Sequence, residues 1–177
     1  IAQYAGVNRF NDADMLCTGL HGKGKSSNDL CFGTPGMTQD EYATQFALWC
    51  MWSSPMALSF DPRANTLTKD DLKILTNRHL IALNQDRMGQ QADLISDTDS
   101  LVVFAKDLEN GDVSLSVTNM SGKLLEATFD FTQIPALDTN KRYQCRDLWT
   151  GEKLSTVKQN FTTKVRPHAT RVFRLGE

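Results

Sequence analysis

The sequence predicts an α+β chain in which helices come first and an antiparallel β-sandwich follows. Three observations carry that expectation. Thr38-Gln39-Asp40-Glu41 and Thr68-Lys69-Asp70-Asp71 each set a threonine three residues before a carboxylate and ahead of an apolar run. That is the pattern in which hydroxyl and carboxylate cap the first helical amides reciprocally. From Asp93 onward the apolar period falls from helical spacing to two, the period of a pleated strand. Asn110-Gly111 then separates two apolar runs, a strong short-range hairpin signal. The change of character near Gly89 gives two expected units, residues 1–88 and 89–177; helices followed by strands imply two units rather than one alternating α/β domain.

The elements follow in order. The first box opens a helix from Tyr42 to about Ser53, with Tyr42, Phe46 and Trp49 on a wide apolar face and Pro55 helping to stop it. Trp49 and Trp52 share a face and are read as core, because large aromatics dominate interiors. The second box opens a helix through Leu72, Leu75 and Leu80 that fades at Asn84-Gln85-Asp86. Residues 101–104 form a short apolar strand. Residues 113–117 alternate strictly, as a strand with one wet face does. Residues 127–131, 143–148 and 171–175 continue the series, with turns at Ser121-Gly122 and Thr150-Gly151, a spacing suited to a sandwich. His168, after Pro167, falls at the start of a strand.

Composition narrows the function classes. Hydrophobic residues make up 40% and charged residues 23%, enough apolar content for a packed core. The net charge is −2 with lysine and arginine scattered, so no basic face is expected for nucleic acid or an anionic membrane. The longest apolar run, residues 46–51, is far short of the roughly 20 residues of a membrane span. Ile1-Ala2-Gln3-Tyr4-Ala5-Gly6 resembles neither a signal peptide nor an initiator context, so the chain is expected to begin mid-protein or after processing. Cys17, Cys31, Cys50 and Cys145 contain no paired motif, and His21, His79 and His168 are dispersed. No metal or cofactor is expected from that spacing. Cys17 and Cys31 flank a Gly- and Ser-rich loop, where a disulfide and two free thiols are equally open. The compartment stays open, with an extracytoplasmic or secreted location favoured. Asn119-Met120-Ser121 and Asn160-Phe161-Thr162 fit the N-glycosylation pattern.

The densest polar constellation is Asn11-Asp12-Ala13-Asp14-Met15, followed by a Gly-rich stretch from Gly19 to Gly36. Carboxylates at i and i+2 share a side of an extended segment. Such a pair can bind sugar hydroxyls, orient an arginine, hold a cation, or simply cap a solvated turn. The calcium-loop spacing is absent. Gly19 to Ser26 formally matches a phosphate-binding loop, but acidic residues rather than an apolar strand precede it and no helix pattern follows. His21 could reach a substrate, though a solvated loop histidine is the plainer reading.

The string Phe10-Asn11-Asp12-Ala13-Asp14-Met15-Leu16, then Gly36-Met37-Thr38-Gln39-Asp40-Glu41-Tyr42, Phe46-Ala47-Leu48-Trp49 and Ser54-Pro55-Met56 resembles the family-27 α-galactosidases (melibiases). The likeness continues through Ile74-Leu75-Thr76-Asn77 and Ile81-Ala82-Leu83-Asn84-Gln85-Asp86 and covers roughly residues 5–90. It implies that residues 1–88 are the last part of a (β/α)8 barrel, with residues 11–15 at the C-terminal end of the final barrel strand, where barrel enzymes build their sites. It implies further that Asp14 is a hydrogen-bonding wall of a galactose pocket, Met15 an apolar contact for the sugar face, and Asp12 an orienting neighbour. Phe10 stands where that family usually has tryptophan, and Ala13 where it usually has proline.

Retaining glycosidases need two carboxylates roughly 5 Å apart. The family's nucleophile segment, Lys-(Tyr/Phe)-Asp, and its acid/base segment, Arg-x-x-x-Asp, do not occur in this sequence; Arg9 is followed four residues later by Ala13. No catalytic residue is therefore assigned, and the chain alone is expected to be inactive. The implied whole is a retaining hydrolase of terminal α-galactosyl residues, with galactose and N-acetylgalactosamine both open. The implied partners are a galactosyl-containing carbohydrate and the rest of the chain's own barrel, with room for a homo-oligomer. The alternatives are a non-catalytic carbohydrate-binding or interface sandwich module, and a nucleotide binder using Gly19 to Ser26.

Overall fold

The computed structural model describes residues 2–22, 36–64 and 67–176. Both capping boxes form. Thr38 accepts from the Glu41 amide while the Glu41 side chain accepts from the Thr38 amide, opening α1 (Gln39–Met51). Thr68 and Asp71 do the same for α2 (Lys69–Leu75). The single helix expected beyond Thr68 is two. The Asn77 side chain accepts from the His79 and Leu80 amides and recaps the chain as α3 (Arg78–Asn84), which a side-chain oxygen at a non-helical residue does efficiently.

Eight strands follow: β1 (Asp93–Asp97), β2 (Leu101–Asp107), β3 (Val113–Asn119), β4 (Leu125–Asp130), β5 (Tyr143–Asp147), β6 (Lys153–Val157), β7 (Asn160–Val165) and β8 (Thr170–Gly176). They make a six-stranded sheet ordered β1-β2-β3-β8-β5-β6 and a two-stranded sheet β4-β7. Every strand pairing is antiparallel. The β2–β3 turn is closed by Leu108 and Asp112, with Gly111 at φ +85°. It is thus a three-residue loop ending in a left-handed glycine rather than a two-residue turn.

The wet face expected for β3 does not exist; all seven of its residues are buried. Val113, Leu115 and Val117 face the β4–β7 layer in a core with Phe129, Phe131, Val165 and Phe173. There Phe161 stacks on Phe129 at 4.7 Å and meets Phe173 edge-on at 5.0 Å. The other face lies against the helices, where Tyr42, Phe46, Met51, Ile74, Leu80 and Leu83 pack with Leu108, Leu148 and Val172. Small polar side chains on this second face explain the alternation. Ser114 Oγ donates to the Phe173 carbonyl, and Thr118 and Thr170 bond each other and reach Thr44 of α1. Only Ser116 Oγ, among the described residues, is buried without a partner. The six-stranded sheet is therefore the shared wall of two hydrophobic layers.

One lysine stitches the layers. Lys106 of β2 is 1% exposed, and its ammonium donates to the Cys50 carbonyl (3.2 Å), Ser53 Oγ (2.7 Å) and the Leu83 carbonyl (2.9 Å). The two carbonyls belong to the last turns of α1 and α3, where helix dipoles present partial negative charge. A second close approach is Gly151, at φ +77°, where an added Cβ would lie 2.2 Å from the His79 ring of α3. Asn119 is wholly buried and its amide nitrogen donates to the Lys123 and Val165 carbonyls. The glycosylation pattern at Asn119 is thus spent inside the fold, whereas Asn160 is exposed. His168 sits in the turn before β8 at φ +56°.

Burial holds the Lys106 pKa down to about 8, with Asp86 pulling the other way. An ordinary lysine titrates near 10.4, so between these values the unfolded chain binds more protons than the folded one. Stability from this group therefore rises as pH increases across that window. Urea denaturation of the wild type is expected to move to higher midpoint between pH 8 and 10 relative to Lys106→Met, which lacks the titrating group. At pH 7 the same substitution, by removing three charge-assisted hydrogen bonds, is expected to cost on the order of 3 kcal/mol.

Candidate functional site

The acidic segment forms a loop fixed mainly through its backbone. Asp14 adopts φ +71°, a region that aspartate tolerates better than most residues because its short side chain bonds nearby amides. The Asp14 amide donates to Asp12 Oδ1 at 2.9 Å, and the Met15 amide to Asp14 Oδ1 at 2.7 Å. Helix α1 supplies the outer supports. Trp49 Nε1 donates to the Asp14 carbonyl at 2.7 Å, and Gln45 both donates to the Met15 carbonyl and accepts from the Cys17 amide. Asn11 donates to Gln91 Oε1 at 2.6 Å. Asp12, Asp14 and Met15 themselves are exposed.

The Ala13 amide donates to Ser54 Oγ at 2.9 Å. Proline has no amide hydrogen, so the alanine found in place of the usual proline replaces ring stiffness with a tether to the segment after α1. Ser54 is buried, and its carbonyl accepts from Asn84 Nδ2 at 2.9 Å. Phe10, 50% exposed, lies within contact of Gly89.

The expectation that residues 11–15 end a barrel strand is corrected. No strand is assigned to them; parallel pairing begins only at Leu16, which bridges Leu58. The Leu16 amide donates to the Ala57 carbonyl and the Ser59 amide to the Leu16 carbonyl. The left-handed Asp14 breaks the extended geometry immediately before that bridge.

Of the residues that support the loop, Gln45, Ser54 and Gln91 drew no attention in the sequence. Trp49, expected in the core, packs against its edge. It is half-buried, packs on Trp52 at 5.8 Å, and spends its indole hydrogen on the loop. The signal available was its position one helical face from Gln45, which says nothing of what lies across from it.

His21 is partly exposed, with a side-chain exposure of 26%, and is held by Asp71. Its Nε2 lies 2.7 Å from Asp71 Oδ2, and its ring meets Tyr42 edge-on at 5.4 Å. The Tyr42 hydroxyl accepts the amides of both His21 and Met37, joining the described ends of the Gly-rich stretch. Residues 23–35 lie outside the described residues, so most of the formal phosphate-loop match and Cys31 fall outside them too. Asp71 is fully buried. Burial alone would raise its pKa, but donors from the Thr68 amide, His21, the Thr68 hydroxyl and Gln39 overcome that and hold it at about 2. A carboxylate kept ionised fixes the shared proton on His21 Nε2. Among the described residues no group of three metal-binding side chains converges.

Two family profiles match the chain in order. One, described as "Alpha galactosidase A", covers residues 1–86; the other, "Alpha galactosidase C-terminal beta sandwich domain", covers residues 98–175. An α-galactosidase A of Aspergillus niger is 34% identical over 176 residues, 99% of this chain and 29% of that protein. α-Galactosidase 2 of Arabidopsis thaliana is 29% identical, over 98% of this chain and 40% of its own length. A crystal structure described as a putative α-galactosidase/melibiase from Bacteroides fragilis superposes with a TM-score of 0.86 at 29% identity, covering 99% of this chain and 36% of that one. The chain thus spans well under half the length of these relatives.

The Asp71 clamp has a pH signature. A carboxylate whose folded pKa lies below its unfolded value contributes stability that is present above about pH 4 and lost as pH falls through about 2. Asp71→Asn is expected to flatten the acid limb of the stability curve between pH 4 and 2, by about 2 kcal/mol. A thermal melt series across that range reads it directly; parallel curves for wild type and variant would show that the clamp is energetically idle.

Proposed function

The chain belongs to the melibiase family of α-galactosidases, as its barrel-end and sandwich portion, and from that premise we propose that it is part of a retaining glycoside hydrolase acting on terminal α-galactosyl groups. In this reading residues 1–88 close the catalytic barrel and residues 89–177 form the sandwich domain. Asp14 is a hydrogen-bonding wall of the sugar pocket, Met15 an apolar contact, and Asp12 the residue that sets the Asp14 backbone.

The observation that carries the reading is how Asp14 is held. A residue in the left-handed region, fixed by Trp49 through its carbonyl and by Asp12 through its amide, has its carboxylate direction set before any ligand arrives. That is the preorganisation a sugar site requires. Exposure of the loop supports the reading as well. Tyr4, Val7, Phe10 and Met15 are 67%, 60%, 50% and 44% exposed, an apolar edge suited to further barrel segments and, at Met15, to the C–H face of a sugar.

The carboxylate pair of a double displacement is supplied by other polypeptide. Asp12 and Asp14 are poor candidates, because each already uses an oxygen on a backbone amide of its own loop. In the intact enzyme the nucleophilic carboxylate would attack the anomeric carbon as the acid protonates the leaving oxygen, and water would then release the sugar. This chain holds and orients that sugar.

In the full-length enzyme, Asp14→Asn is expected to lower kcat/KM for an aryl α-galactoside by roughly 10- to 100-fold, the loss of one charged hydrogen bond worth about 1.5–3 kcal/mol. Undiminished kcat/KM would remove Asp14 from the pocket. Residues 1–177 alone are expected to release no aryl alcohol from the same substrate; turnover by the isolated chain would refute the assignment of the catalytic pair to other polypeptide.

A further inference from the structure

A groove of about 620 Å³ opens between the first turn of α1, α2, and strands β5 to β8, and Trp149 lines it. That volume is in the range of small-molecule sites. It lies on the far side of α1 from the acidic loop. At 100° per residue, the loop-holding Gln45 and Trp49 stand roughly 140° and 180° around the helix from groove-lining Asp40.

The lining is polar but electrically balanced. Three ion pairs line it: Asp40 with Arg166, Asp70 with Lys73 and Asp147 with Arg171. The two remaining charged residues, Glu152 and Lys164, are exposed, opposite in sign, and unpaired among the described residues. An anion entering would meet as many carboxylates as cations, and a cation the reverse, so neither gains from the field. A neutral ligand whose hydroxyls both donate and accept matches such a surface. Trp149 adds an apolar wall whose orientation is locked, because its Nε1 donates to the Thr170 carbonyl at 2.8 Å and its own carbonyl accepts from Asn77. A fixed indole beside balanced donors and acceptors suits the mixed C–H and hydroxyl surface of a sugar ring.

We propose that this groove is a second carbohydrate site, taking a neutral hexose or short oligosaccharide against Trp149, with Glu152 and Lys164 as its hydrogen-bonding rim. It is built by the helices and the sandwich together, so it exists only where the two layers are docked. Its occupant is the same chemical class as the proposed substrate, but no residue is shared with the Asp12–Met15 loop.

Calorimetric titration of the full-length enzyme with galactose tests it. Two equivalents are expected for the wild type. Glu152→Ala and Lys164→Ala, at exposed positions, are each expected to weaken the second equivalent at least fivefold. A single equivalent in the wild type, two unaltered equivalents in both variants, or displacement of the second equivalent by inorganic phosphate would each overturn the proposal. Galactose inhibition of aryl α-galactoside hydrolysis reports the active site separately. Its persistence alongside a single equivalent would refute the groove alone, and its loss alongside a Trp149-dependent binding event would refute the active-site reading alone.

Discussion

The architecture depends on one buried ammonium. Lys106 reaches from the sheet into the angle between α1 and α3 and bonds a strand to the last turns of both helices at once. By solvation alone this is a poor place for a charge, as the fall of its pKa to about 8 records. Its value is directional. Its three acceptors, two of them carbonyls in the last turns of α1 and α3, take a charge-assisted hydrogen bond each, the stronger kind, and together they offset part of the cost of burial. An apolar side chain at the same position would leave α1 tied to the sandwich through Thr44 and the cap of α3 through Asn77. The lysine adds the tie at the other end of both helices. Buried charge here specifies geometry more than it adds stability.

That constraint accounts for what the sequence conceals. Alternation at residues 113–117 is real, but it encodes two different buried faces, one of large apolar groups and one of small polar groups beneath α1. Period two reports that side chains alternate; it does not report what covers each side. The helix caps were legible because Thr38 with Glu41 and Thr68 with Asp71 act within four residues. The break at Asn77 was missed because the apolar spacing runs through it, and only the side chain of a single residue restarts the helix. Strands β6 and β7 were missed for another reason: their exposed, threonine- and lysine-rich faces carry little apolar signal. Strand order β3-β8-β5 is set by pairing over long separations, beyond any local pattern.

The acidic loop was legible as a composition and through its family resemblance, and illegible as a conformation. Nothing in Asn11-Asp12-Ala13-Asp14-Met15 announces that Asp14 is left-handed, or that Gln45, Trp49, Ser54 and Gln91 will close on the loop from thirty or more positions away. The substitution at position 13 illustrates the point. Read from sequence it removes stiffness; in the fold it creates a donor that Ser54 accepts, a bond proline could not make.

These supports connect the loop to the sandwich. Lys106 holds Ser53 Oγ, and Ser53 sits at φ +51° in the turn that ends α1. A non-glycine residue keeps such a conformation only where its surroundings determine it, and the lysine is a large part of those surroundings. The next residue, Ser54, accepts Asn84 on its carbonyl and the Ala13 amide on its hydroxyl oxygen. From β2 to the acidic loop there are thus two covalent neighbours and two hydrogen bonds. The sandwich is remote from Asp14 in sequence, yet it fixes the turn from which the loop hangs. A sandwich free to pivot would leave the turn at Ser53 without its lysine, and the Ala13 tether would move with it. On this argument the sandwich is a positioning element for the acidic loop, and the two layers work as one because the sheet is the wall of both.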